Sequence, residues 1–224
     1  MFLLTIGCRS MNRALFTMPT AALPARLPAL DTTLDASALL ASDGATPSDA
    51  ERLFQLELKR NLMEPEDSAK FGYIKLQIIN ASMKRTGRGF QVFQMVTLMT
   101  PSFLGVPLEY FRTTLQAELH IIDVHGNTLA TYTGKGASKI RVAMYHGYSQ
   151  KGAPRLADIE ALRQALNEIR PQLANDASAL REQLLAAAAP DPVVITATPD
   201  MITLGDTPDS PAPTDSTETR VSNK

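Results

Sequence analysis

Apolar and polar positions alternate with a period of two in three stretches of the chain. Ile74, Leu76 and Ile78 alternate with Lys75 and Gln77, and Leu115, Ala117, Leu119 and Ile121 alternate with Gln116, Glu118 and His120. Ile140, Val142 and Met144 repeat the pattern. Such alternation predicts strands with one face on a core. Asp123-Val124-His125-Gly126-Asn127 reads as the turn of a β-hairpin whose second strand returns from Thr128 to Thr133. Gly134-Lys135-Gly136 reads as a further turn, leading into a separate strand from Ile140 to Tyr148.

The helical period appears twice. Phe54, Leu58 and Leu62 recur behind a capping box at Ser48 and Glu51, which predicts a helix from Ser48 to about Met63, ended by Pro65. Leu156, Ile159, Leu162, Leu166, Ile169 and Leu173 trace a longer stripe from Pro154, continued by Ala177, Leu180 and Leu184. Pro171 is expected to kink or interrupt that helix. Between these patterns, Phe90 to Leu108 carries no charged residue. Gln91, Gln94, Pro101 and Pro107 argue against a membrane span. A buried strand from Phe90 to about Met99 is expected, then an apolar loop in which Phe103, Leu104 and Val106 offer a membrane or partner contact. Lys84, Arg85, Gly87, Arg88 and Gly89 read as a basic turn before it.

These elements predict an α+β fold: a mostly antiparallel sheet of four or five strands with two main helices packed on one face, and disordered N- and C-terminal tails. The expected boundaries are a truncated lipoprotein signal-like segment at 1–8, a tether at 9–26, a single α+β domain at 27–189 and a Pro/Thr/Ser/Asp-rich tail at 190–224.

Composition narrows the chemistry. Lys and Arg number 22 against 23 Asp and Glu, a net charge of -1 that gives no whole-chain field for nucleic acid. The single cysteine excludes an intrachain disulfide and any site of several thiolates. That cysteine, Cys8, closes the run Phe2-Leu3-Leu4-Thr5-Ile6-Gly7, with a small residue before it as lipoprotein signal peptidase requires. Thr5 departs from the usual aliphatic residue, and the basic segment and full apolar stretch of a signal peptide are missing, so the annotated start codon is a candidate for being set too late. Lipidation at Cys8 would hold the protein to a membrane through several acyl chains, palmitate among them.

No catalytic motif, cofactor site or metal site is expected. His120 falls on the polar face of its strand and His125 in a turn, and no Gly-x-Ser-x-Gly elbow is present. Tyr145-His146-Gly147-Tyr148, close to Arg155, is a candidate recognition surface for an anionic or glycan ligand.

Taken with Leu104-Gly105-Val106-Pro107, Ile122-Asp123, Gly126, Tyr132 and Gly136, that cluster and the Ala157, Ala161 and Ala165 helix resemble small, uncharacterised cell-envelope lipoproteins of Bacteroidetes-like bacteria over roughly Cys8 to Leu173. The order of elements is more loosely similar to the α/β module of penicillin-binding-protein activator lipoproteins and of the curli-secretion lipoprotein. The resemblance implies a lipid-anchored, periplasm-facing envelope protein with a non-catalytic binding or assembly role toward a protein partner or an envelope polymer. The alternative is an envelope enzyme acting on glycan or peptide, with its site around Tyr145, His146 and Tyr148.

Overall fold

The computed structural model describes residues 11–64, 69–97, 106–143 and 148–189. Cys8, Phe103, Leu104, Tyr145, His146 and the 190–224 tail lie outside these residues. The elements in order are α1 (Met11–Phe16), β1 (Asp31–Asp35), a 3-10 turn (Ser37–Ala41), α2 (Pro47–Glu57) running into a π turn (Leu58–Leu62), β2 (Tyr73–Thr86), α3 (Arg88–Val96), β3 (Glu109–Ile122), β4 (Thr128–Val142) and α4 (Gly152–Ala187).

One four-stranded sheet runs in the order β1-β2-β3-β4. Strands β2, β3 and β4 form an antiparallel meander, whereas β1 pairs parallel to β2, from Asp31 opposite Tyr73 to Asp35 opposite Gln77. The sheet is therefore mixed. A strand, α2 and a second strand form a crossover, and a crossover of that length returns the chain parallel to its start. The apolar members of the period-two pattern in β2 and β3 lie on one face: Ile74, Leu76, Ile78, Leu115, Ala117, Leu119 and Ile121 are buried. Against that face lies the stripe of α4, with Leu156, Ile159, Leu162, Leu166, Ile169, Leu173, Ala177, Leu180 and Leu184 all in the core. Leu53, Phe54, Leu58 and Leu62 of α2 and its π turn join the same core.

Several expectations are corrected. Residues 128–142 form one strand rather than two separated by a turn. Gly134 and Gly136 lie within it because α4 crosses there at backbone distance: a Cβ on Gly136 would overlap the Ala161 carbonyl oxygen and stand 2.7 Å from its carbon, and one on Gly134 would stand 2.8 Å from Ile169 Cγ1. Glycine in a strand is the mark of a close approach as well as of a turn. The uncharged segment after Gly89 is helical, not a buried strand; α3 spans Arg88–Val96. Short apolar runs do not separate strand from helix by periodicity alone. The basic stretch Lys84–Gly89 is no simple turn, since β2 continues to Thr86 and α3 begins at Arg88. The capping box is set two residues earlier than expected, with Thr46 at the N-cap and Asp49 at the third helical position. Pro171 sits inside α4 without ending it. Buried Ile169 and Leu173 flank that proline, and their packing outweighs the lost backbone hydrogen bond.

The segment expected as a tether packs onto the domain. Leu15, Met18 and Leu23 are buried core residues, and arginines of α4 hold the carbonyls around them. Arg163 Nη2 donates to Leu15 O at 2.8 Å and Arg181 Nη1 to Arg26 O at 2.8 Å. Between them, Arg170 Nε donates at 2.8 Å to buried Glu57, whose other oxygen accepts from Asn61 at 2.7 Å. Asn61 then accepts from the Ala21 N–H at 2.9 Å. Arg163, Arg170 and Arg181 are 7 and 11 residues apart, close to whole helical turns, so one face of α4 presents all three.

The outer edge of β4 is also covered. Gln164 Oε1 accepts from Ala137 N at 3.2 Å, Glu168 Oε2 from Lys135 N at 2.6 Å, and Gln172 Nε2 donates to Thr133 O at 3.0 Å. Four residues of helix advance about 6 Å and two residues of strand about 6.7 Å, so the two ladders keep step. A strand edge left open would pair with other chains.

Candidate functional site

A half-open cleft of about 490 Å³ lies where the 3-10 turn, the ends of β2 and β3 and the start of α4 meet, and its lining includes Ser42, Asp43, Met83, Arg85, Phe111, Gln150 and Pro154. Period two in β2 and β3 places Met83, Arg85, Phe111 and Glu109 on the core side of the sheet, because Arg85 is opposite Phe111 in the register. Arg85 is ion-paired to fully buried Glu109 and holds its guanidinium over the Phe111 ring, 5.8 Å from the centroid.

Beneath the cleft is Asp158, which has no exposed surface. It accepts from Ser42 Oγ at 2.6 Å, Ala45 N at 2.9 Å and Thr113 Oγ1 at 2.8 Å. Burial pushes its carboxyl above the usual range, and these three donors pull it only part of the way back. Gly44 is required beside it, since a Cβ there would stand 2.7 Å from Asp158 Cγ. Ser42 and Asp158 touch, but no histidine joins them among the described residues and Ser42 is itself buried. The pair braces the turn after the 3-10 segment against α4, and among the described residues no base stands beside it to activate the hydroxyl.

The sequence-derived site residues have different surroundings. Arg155 directs Nε and Nη2 to Asp49, with Nε 2.8 Å from Oδ2, and so ties α4 to the N-terminus of α2. Burial alone would raise the Asp49 carboxyl, but the Arg155 guanidinium, the Thr46 N–H and the Thr46 hydroxyl outweigh it and hold the group below its usual range. Tyr148 is half-buried against the small cluster of Phe111, Val142, Ala153 and Ala157, and its N–H donates to Arg141 O at 3.2 Å. Val106 is half-buried at the approach to β3. His120 Nδ1 lies 3.1 Å from Thr131 Oγ1 on the outer face of the sheet, and His125 Nε2 lies 3.1 Å from Ala187 O. Asp158 carried a signal in the sequence, because it stands four residues before Leu162 on the apolar stripe of α4. The Arg85–Glu109 pair carried none, since it depends on register.

The face of the sheet away from α4 is open. Along β3 it presents Tyr110, Arg112, Thr114, Gln116, Glu118 and His120, all exposed or half-buried. No described helix is long and apolar enough to cross a membrane. No protein-family model matches the chain, and none of the curated proteins matches it.

Proposed function

We propose that this chain is a lipid-anchored, periplasm-facing cell-envelope protein, acylated at Cys8, whose folded domain binds a protein partner or an envelope polymer without catalysis. The observation that carries the reading is the apolar run ending Gly7-Cys8, three residues ahead of α1. The cleft supports the binding role. Its wall is amphipathic, with Met83 and Phe111 beside Arg85; Arg85 is engaged with buried Glu109, and Asp158 beneath the cleft is held by three donors.

Metabolic labelling with a palmitate analogue tests the anchor. The full-length gene product is expected to carry label and to fractionate with membranes, and Cys8→Ser is expected to lose both. An unlabelled product whose fractionation is unchanged by Cys8→Ser would overturn the reading. A photocrosslinking residue at exposed Gln150, beside the cleft, tests the binding role: a discrete adduct abolished by Phe111→Asp supports it, and the absence of any adduct removes it.

A further inference from the structure

We propose that the open face of the sheet at the Arg112 end of β3, together with α3, is a contact surface for anionic phospholipid. In the register of the sheet, Lys84 lies opposite Arg112 and Arg112 opposite Lys139. Three cations thus stand in one row across β2, β3 and β4, all exposed and all on the face away from α4. Residues directly opposite have Cβ atoms about 4.5–5.5 Å apart, and like charges there destabilise a sheet. None of the three is ion-paired among the described residues; Lys139 Nζ lies over the Tyr110 ring, 4.4 Å from its centroid. The β2, β3 and β4 strands hold two carboxylates. Glu109 is buried on the other face, and Glu118 is six residues along β3 from Arg112, roughly 20 Å away. An arrangement unfavourable to the isolated domain is matched by an external anion.

The neighbouring helix supplies the second half. Helix α3 follows β2 after one residue, Gly87, whose φ of 111° turns the chain where a side chain would strain it. Its Val92, Phe93, Met95 and Val96 are 64%, 55%, 77% and 78% exposed. At about 100° per residue these four fall within an arc of roughly 160°, so the exposed apolar side chains share one side of the helix. Nucleic acid would take up the cation row and leave that arc in water. A membrane interface answers both, with headgroup phosphates on Lys84, Arg112 and Lys139 and the apolar arc at the boundary of headgroups and acyl chains.

This contact is separate from acylation, and its test removes the anchor. Full-length protein carrying Cys8→Ser is sedimented with vesicles of phosphatidylcholine alone or of phosphatidylcholine and phosphatidylglycerol in equal parts. Binding to the mixed vesicles only, weakened by salt, is expected. The combined Lys84→Gln, Arg112→Gln and Lys139→Gln variant should bind on the order of a hundredfold more weakly. Phe93→Ser with Met95→Ser should also release the protein while its circular dichroism is unchanged, both side chains being exposed. No binding, equal binding to both vesicles, or binding indifferent to either variant would overturn the proposal. So would capture of a duplex oligonucleotide or an acidic peptide in preference to the vesicles. Failure here leaves palmitate labelling at Cys8 untouched, and failure of that labelling leaves this surface standing.

Discussion

Gly136 of β4 lies directly under Ala161 of α4, so close that a Cβ would overlap the helix backbone and stand 2.9 Å from Ala165 N. Gly134 repeats the approach beside Ala165, where a Cβ would stand 3.0 Å from the carbonyl carbon. Two glycines on the strand and two alanines on the helix let α4 descend until Gln164, Glu168 and Gln172 reach the edge of β4. Small residues therefore decide both the packing of the domain and the closing of its open edge.

Enlarging Gly136 should separate these layers. Gly136→Val is expected to destabilise the domain by about 3 kcal/mol or more, and Gly136→Ala by about 1–3 kcal/mol, since the obstacle is backbone and does not move aside. Urea denaturation followed by circular dichroism would show it. A Gly136→Ala variant as stable as the parent would contradict the close approach.

Removing the edge cover tests a different property. The combined Gln164→Ala, Glu168→Ala and Gln172→Ala variant should lose only about 1–3 kcal/mol, yet associate at concentrations where the parent stays dispersed. Light scattering against concentration measures this; unchanged scattering would show that β4 needs no protection.

Arg170 and Glu57 form a buried ion pair, with side chains 13% and 0% exposed. Arg170→Ala strands the Glu57 carboxylate and is expected to cost about 3–5 kcal/mol. Because Glu57 holds Asn61, and Asn61 holds the Ala21 N–H, hydrogen exchange at Ala21 should accelerate more than exchange in β3. Uniform acceleration would deny the local link.

Asp49 and Asp158 pull acid stability in opposite directions. The folded carboxyl of Asp49 lies below 3.8, so its contribution is complete above that pH and is lost as the pH falls through the lowered value. The folded carboxyl of Asp158 lies above 3.8, so the native state takes up its proton first and gains stability as the pH falls toward 3.8. Asp49→Asn should therefore lower the melting temperature at neutral pH, with the deficit closing in acid. Asp158→Asn keeps an oxygen for Ser42 and Ala45 and turns its amide to Thr113; it should match or exceed parental stability at neutral pH and flatten the acid gain. Asp158→Ala takes the acceptor from the Ala45 N–H and the Thr113 hydroxyl, while Ser42 keeps the Leu39 carbonyl, and should lose about 2–4 kcal/mol. Melting temperature against pH for the three variants checks each sign.

Much of the fold was legible because two periods are local properties of the chain. Alternation identified the buried face of β2 and β3, and the stripe from Leu156 to Leu184 identified that of α4, residue by residue. The errors share a cause. Gly134-Lys135-Gly136 carries the composition of a turn, and only the helix above it makes the glycines part of a strand. Phe90 to Val96 is apolar enough for either a strand or a helix. Pro19 and Pro24 suggested a tether, whereas buried Leu15, Met18 and Leu23 and the arginines of α4 draw that segment into the core.

The sequence by itself determined which residues turn inward, that helices and strands share one core, and that a single cysteine closes an apolar run at Cys8. Only the tertiary structure decided that β1 runs parallel to β2, that Arg155 belongs to Asp49, that Asp158 is buried among three donors, and that Lys84, Arg112 and Lys139 stand side by side. Burial follows from periodicity, which neighbours along the chain set. Register and partnership depend on residues tens of positions apart, and those meet only when the sheet pairs and α4 closes over it.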